Sequence, residues 1–282
     1  MPDEWSAAKL DLDAYLRRIS YSGPTEPSEA ALAALHRAHL AAIPFENLDI
    51  MLGRGVQVDL DSIQAKLVHA GRGGYCYEHG QLFGAVLERL GFGVDRLLAR
   101  VGPDGGPTRP RTHLTLRVTA GSRTWLADVG FGSSPPGPLS LRRPRTGGRQ
   151  DLDGWVYEVV PDEETERTWK LRELQGGDWV TLYRFEDQRV YPADVVMSNY
   201  FTSTHPQSWF TWQPIVVRRD PGAIVSLVGL SYTVTRPGHV KERRQLTDDE
   251  FAAALTDVFA LTFTERELAT LVAAAAPDDP GR

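Results

Sequence analysis

The sequence holds a single cysteine, Cys76, in 282 residues. That scarcity excludes an intramolecular disulfide and a cysteine-rich zinc site, and a lone thiol suits a reducing cytoplasm. There is no HExxH pattern and no histidine and cysteine cluster, so no metal site is expected. No apolar run is long enough to span a bilayer. The N-terminus, MPDEWSAAKLDLDAY, lacks the basic start and apolar stretch of a secretory signal, which makes a cytoplasmic protein without membrane contact the expectation. Positive charge is not in excess: 31 Lys and Arg against 37 Asp and Glu leave a formal charge of -6, which argues against a general nucleic-acid binder. No internal repeat is found.

What is present is a change of period along the chain. Up to about Leu90 apolar residues follow helical spacing. Leu12, Tyr15, Leu16 and Ile19 form one stripe, and Leu32, Leu35, Leu40 and Ile43 a second, capped by Ser28 and ended by Pro44. Asp59 caps a third helix through Ile63 and Leu67. A fourth opens at Cys76. From about Arg96 the period becomes two, with strands predicted at 96–101, 112–118, 124–129, 155–160, 169–173 and 179–185, a succession that suggests a small antiparallel barrel. Four further strands run between Trp212 and Gln245. Two helices follow, each opened by a capping box, Thr247 with Glu250 and Thr264 with Glu267. The tail from Pro277 is expected to fray.

The chain is organised around Gly71-Arg72-Gly73-Gly74-Tyr75-Cys76-Tyr77-Glu78-His79-Gly80. Cys76 falls in the first turn of a helix, where unpaired N–H groups and the helix dipole favour an anion, so its thiol is expected to ionise easily. The glycines before it free space beside the sulfur. A lone cysteine is otherwise a small buried hydrophobe, so partners elsewhere decide between the two readings.

Those partners are His113 and Asp128. With Ala120 and Gly121 at the tip of the turn Thr119–Ser122, Thr119 faces Ser122 and His113 stands opposite Asp128, with Cβ atoms roughly 4.5 to 5.5 Å apart. The same register puts Leu114, Leu116, Trp125 and Ala127 on the other face, as a barrel core requires. A histidine takes the proton from sulfur while a carboxylate holds its tautomer, the logic of a Cys-His-Asp triad. His79 lies on the same helical side as Cys76 and is a competing base. His36, His39, His69 and His239 read as surface or half-buried residues. Phe45, in the loop Pro44 to Asp49, is either core filler or a pocket wall.

RGGYCYEHG, the upstream IPFENLD, the strand RTHLTL, then ADVGFG and NYFTSTHPQSWF occur in this order over most of the chain, and together they resemble the arylamine N-acetyltransferases. The resemblance implies an α+β fold of three domains: a helical bundle (1–92), an antiparallel β-barrel (93–210) that forms a cysteine-protease-like core with the bundle, and an α/β lid (211–282). It implies Cys76, His113 and Asp128 as the triad. The activity implied is ping-pong transfer of an acetyl group from acetyl-CoA, as cosubstrate, to an arylamine or arylhydrazine. The backbone N–H of Tyr77 is the natural oxyanion donor. By the same resemblance Phe45, Phe131 and Phe210 line an acceptor pocket, and Thr112 and Gly132 lie near the pantetheine end of the cofactor. An amide synthase or a cysteine hydrolase would use the same triad. The arginines of the loop Ser133 to Gln150 are either phosphate contacts or a solvated basic loop.

Overall fold

Ser28 accepts the Ala31 N–H on its hydroxyl at 3.1 Å and starts a helix that ends where Ile43, extended as a residue before proline, leads into Pro44. A computed structural model describes residues 3–102, 108–141, 148–163, 165 and 167–276. Its helical part comprises α1 (Leu12–Arg18), α2 (Glu29–Ala42), α3 (Leu48–Met51), α4 (Leu60–Ile63) and α5 (Cys76–Arg89). A two-residue strand, β1 (Phe45–Glu46), interrupts them. Asp59 caps α4 as its spacing predicts, through the Ser62 N–H at 2.9 Å. Beyond Ile63 the helix continues through Leu67 as expected, but wound as a π-helical segment, Gln64–His69, which the apolar spacing does not announce. Leu32, Leu35, Ile63, Leu67, Phe83 and Val86 bury their side chains together at the centre of this bundle.

The period-two stretch forms β2 (Gly93–Val101), β3 (His113–Ala120), β4 (Arg123–Ala127), β5 (Leu139–Ser140), β6 (Gln150–Leu152), β7 (Trp155–Pro161), β8 (Thr168–Gln175) and β9 (Asp178–Glu186). They hydrogen-bond antiparallel in the order β5-β4-β3-β2-β9-β8-β7-β6, and β5 returns against β7, so the sheet is a nearly closed eight-stranded barrel.

The β3–β4 register differs from the expected one. Gly121 and Ser122 occupy the tip, Ala120 pairs with Arg123, and Leu116 pairs with Ala127. Gly121 has φ +61°, the left-handed backbone that a turn with glycine at its first central position requires. The slip is two residues, so each side chain keeps its face. That even-numbered face of β3, however, does not fill the barrel. Leu116, Val118 and Ala120 pack with Ala127 and Trp125 against the helices, while Leu114 joins Tyr75 and Cys76. The barrel interior is filled instead by Leu97, Ala99, Tyr157, Leu171, Tyr183 and Phe185.

After the barrel comes α6 (Pro192–Thr204), a helix the strand pattern did not suggest. Then β10 (Ile215–Asp220), β11 (Ala223–Val228), β12 (Ser231–Thr235) and β13 (Glu242–Gln245) form a second antiparallel sheet, with β1 added along its edge as Phe45 pairs with Val217. Phe251 of α7 (Asp248–Asp257) and Leu271 of α8 (Glu265–Ala275) cover it over Val216 and Leu227. Both capping boxes form: the Glu250 carboxylate accepts the Thr247 N–H at 2.9 Å, and Glu267 accepts the Thr264 N–H at 2.7 Å. The tail from Pro277 and positions 142–147 of the arginine-bearing loop lie outside the described residues.

Candidate active site

Cys76 is the first residue of α5, preceded by an extended Tyr75 whose N–H donates to the Glu78 carboxylate at 3.0 Å. That bond is the backward half of a capping box and holds the turn onto the helix. Gly73 is needed for space: a Cβ there would sit 2.2 Å from the Pro44 carbonyl oxygen. The loop carrying Phe45 therefore lies directly against the turn that delivers the cysteine.

The sulfur is buried, with Sγ 3.6 Å from the Thr112 carbonyl oxygen. Burial pushes the thiol up; the backbone N–H groups of Leu114 and Tyr77 pull the other way, and the nearby Asp128 charge adds to the rise. Burial thus opposes the easy ionisation expected of the helix terminus, because loss of water around the sulfur disfavours its charged form.

Thr112 and Leu114, the two residues that meet the sulfur, flank His113 on β3. The His113 ring donates through Nε2 to Oδ2 of Asp128 at 2.6 Å, with both side chains buried. The actual register sets Asp128 one diagonal step from His113 on the same face, just past the end of β4, rather than directly opposite. Burial raises the Asp128 carboxyl, but the His113 charge and hydrogen bonds from His113, Tyr183 and the Gly130 N–H outweigh it and hold it below the usual carboxylate range. Gly130 brings this turn onto the nucleophile's helix. A Cβ there would lie 2.9 Å from the Cys76 carbonyl oxygen.

The other expected residues gather around this cluster. Phe131 meets the His113 ring edge-on at 5.1 Å, and Gly132 faces Phe45 and Val217. Phe45 packs on Phe210 at 5.9 Å, and Phe210 on Tyr75 at 5.5 Å. Phe45 is only 7% exposed and so packs as part of the core. The Tyr77 side chain points away from the sulfur: its hydroxyl bonds Ser198 at 2.5 Å and Thr202 at 3.0 Å on α6. His36 and His39 are fully buried, contrary to expectation, because α2 lies in the middle of the bundle. Among the described residues no group of three or more His, Cys, Asp or Glu is arranged to hold a metal ion, and no helix is long and apolar enough to cross a membrane.

Two groups of residues escape a reading of the sequence. Tyr183 reaches Asp128 from β9, paired with β2, so no local pattern ties it to the site. Around the turn, Lys66 sits 2.8 Å from Asp49 and 2.9 Å from Glu78, while Arg72 meets Glu46 at 2.7 Å. The mixture of carboxylate and apolar residues in PFENLD is the one signal of that network.

Comparison with known proteins bears on the fold and the family. The N-acetyltransferase family model matches residues 30–268. The arylamine N-acetyltransferase of Escherichia coli K12 is 35% identical over 274 residues, 93% of this chain and 95% of that one. A crystal structure of the Nocardia farcinica arylamine N-acetyltransferase superposes with a TM-score of 0.90 at 39% identity, covering 96% and 98% of the two chains. The Mycobacterium marinum arylamine N-acetyltransferase in complex with CoA gives 0.85 at 33% identity, covering 94% and 98%. Fold and family model together define an acyltransferase. Within that class the chain belongs to the arylamine N-acetyltransferase family.

Proposed function

We propose that the protein carries an acetyl group from acetyl-CoA to an aromatic amine or hydrazine through a thioester on Cys76, in two half-reactions. The observation that carries this reading is the sulfur lying between the backbone of Thr112 and Leu114, with His113 between them tied to Asp128.

Because Nε2–H is committed to Asp128, Nδ1 is the basic nitrogen of His113. In the first half-reaction it takes the thiol proton as sulfur attacks the acyl carbon. The new C–S bond forms, the cofactor's own C–S bond breaks, and the leaving thiolate takes the proton back from the imidazolium. Asp128, held ionised, offsets the positive ring. Charge on the acyl oxygen is met by the Tyr77 N–H. In the second half-reaction the amine attacks the thioester, His113 takes its proton, and the Cys76 thiol is restored. One thioester replaces another at nearly even energy, and amide formation then runs downhill.

Phe45, Phe131 and Phe210 form the aromatic wall against which the acceptor ring stacks. Thr112 and Gly132, beside the sulfur and Phe45, border the approach of the pantetheine arm. The working units are a bundle over 1–92, a barrel over 93–210 and a lid over 211–282. A free thiol as nucleophile fits a reducing cytoplasm.

Intact mass measurement after incubation with acetyl-CoA tests the reading. One acetyl group on Cys76, absent in Cys76→Ser, is expected together with release of coenzyme A. An unmodified protein that still acetylates an aniline would overturn the thioester route.

A further inference from the structure

Beneath the nucleophile lies a chain of buried polar groups that acyl transfer does not use. The Tyr15 hydroxyl is 2.9 Å from Nδ1 of His39, Nε2 of His39 is 2.8 Å from Nδ1 of His79, and Nε2 of His79 is 3.2 Å from the Pro44 carbonyl oxygen. All three side chains are fully buried. Burial holds His79 down to about 4 and His39 well below its ordinary value, and raises Tyr15, so at neutral pH every member is uncharged.

The direction of the chain then follows without choice. A carbonyl only accepts, so the single proton of His79 sits on Nε2 and its Nδ1 must accept. His39 therefore carries its proton on Nε2, and its Nδ1 takes the Tyr15 hydroxyl proton. Both nitrogens of His79 are thereby engaged, which removes it as a rival base for Cys76.

The chain ends at the loop that carries an acceptor-pocket residue. Pro44 immediately precedes Phe45, and the Phe45 ring lies nearly parallel to His79, with 14° between planes and 6.3 Å between centroids. We infer that His79 is a positioning residue for the acceptor half-reaction: locked in one tautomer by His39 and Tyr15, it fixes the Pro44 carbonyl and the ring of Phe45, and so sets how an aromatic amine fits.

The His79 ring also reaches the Gly74 backbone in the nucleophile's turn, but that turn has supports of its own. It keeps the bond from the Glu46 N–H to the Gly74 carbonyl at 2.7 Å and that from the Tyr75 N–H to Glu78 at 3.0 Å. Loss of His79 should therefore weigh on the second half-reaction more than on the first.

This inference rests on the acetyl-transfer reading above, and two-step kinetics separate the two. In such a scheme kcat/KM for the amine reports only the second half-reaction, and kcat/KM for acetyl-CoA only the first. His79→Leu is expected to lower the constant for a small aniline about tenfold while the constant for acetyl-CoA stays within about threefold. His79→Gln, whose amide can accept from His39 and donate to Pro44, is expected to recover most of that loss. Tyr15→Phe, which keeps the ring and removes the first donor, is expected to shift the amine constant severalfold in the same direction. Constants falling in parallel, no change in either, or a glutamine variant no better than leucine would overturn the positioning role. Absence of any acetyl adduct on wild-type Cys76 would overturn both readings, and it is seen before any variant is made.

Discussion

The Tyr183 hydroxyl donates to Oδ2 of Asp128 at 2.7 Å, on the same oxygen that takes the His113 N–H at 2.6 Å. One carboxylate oxygen thus joins β9, two strands across the sheet from β3, to the histidine beside the thiol. A hydrogen bond to a charged group contributes about 1.5–3 kcal/mol, so Tyr183→Phe is expected to slow acetylation of Cys76 by one to two orders of magnitude. Single-turnover release of coenzyme A measures this. A wild-type rate would mean that His113 and the Gly130 N–H orient Asp128 without help.

Gly130 is a spacing device between the Asp128 turn and α5. A Cβ there meets the Cys76 carbonyl oxygen at 2.9 Å, the Cys76 Cα at 3.0 Å and the His79 Cβ at 3.2 Å, none of which swings aside as a flexible side-chain end would. Gly130→Ala is expected to cost about 1–3 kcal/mol of stability and to push the Asp128 turn away from the sulfur. Thermal unfolding and the acetylation rate should both fall. A change in neither would show that the two backbones have room to part.

Stability should decline on acidification through the histidines. His36 is depressed to about 3 and His79 to about 4, both by burial first, and His39 lies well below its ordinary value. Unfolded, each takes a proton near pH 6.5 that the folded chain refuses. Their stabilisation is therefore full above that pH and is lost as pH falls toward about 4, at roughly 1.4 kcal/mol per pH unit for each. Glu78, raised to about 7 by burial, acts oppositely: its contribution is present below its unfolded value and is lost as pH rises through about 7. Three groups outweigh one, so the melting temperature should fall between pH 6.5 and 4.5. Among the described residues neither ring nitrogen of His36 has a hydrogen-bond partner, and the ring packs edge-on against Phe83. His36→Phe should therefore flatten the pH slope, and an unaltered slope would count against this assignment.

The Lys66 ammonium holds the capping carboxylate of the nucleophile's helix. Burial disfavours its charge, yet Glu46, Glu78 and Asp49 together raise its pKa. Lys66→Met leaves Glu46 and Asp49 with arginine alone and Glu78 without an ion-pair partner among the described residues, and breaking such a buried pair costs about 3–5 kcal/mol. Urea unfolding should show the loss. A variant as stable as the parent would mean that Arg72 and Arg54 suffice.

Local regularities carried much of the fold into view. Ser28, Asp59, Thr247 and Thr264 cap the helices they were expected to cap, since a side chain and an amide three residues on meet whatever the rest of the chain does. Period two exposed six of the eight barrel strands, while the short β5, inside the stretch read as a surface loop, and β6 went unread. Parity kept His113 and Asp128 on one face even though the pairing register slipped by two residues, because a two-residue hairpin displaced by one position leaves alternation intact. The π winding of Gln64–His69, within a helix whose stripe through Leu67 was legible, and the helix α6 stayed hidden. The buried faces they present are set by partners distant in the chain, Glu78 for Lys66 and Tyr77 for Ser198 and Thr202.

From residue order alone come the identity of the thiol, its place at a helix start, and the histidine and carboxylate that share a strand face; these need only neighbours within about twenty positions. The burial that presses on that thiol was decided by tertiary structure, since burial is a property of everything packed around Sγ, and it acts against what the helix terminus would do by itself. So were the reach of Tyr183 to Asp128 and the chain from Tyr15 to Pro44. Each joins groups that are far apart along the backbone and adjacent only once the barrel has curled round and the bundle has closed.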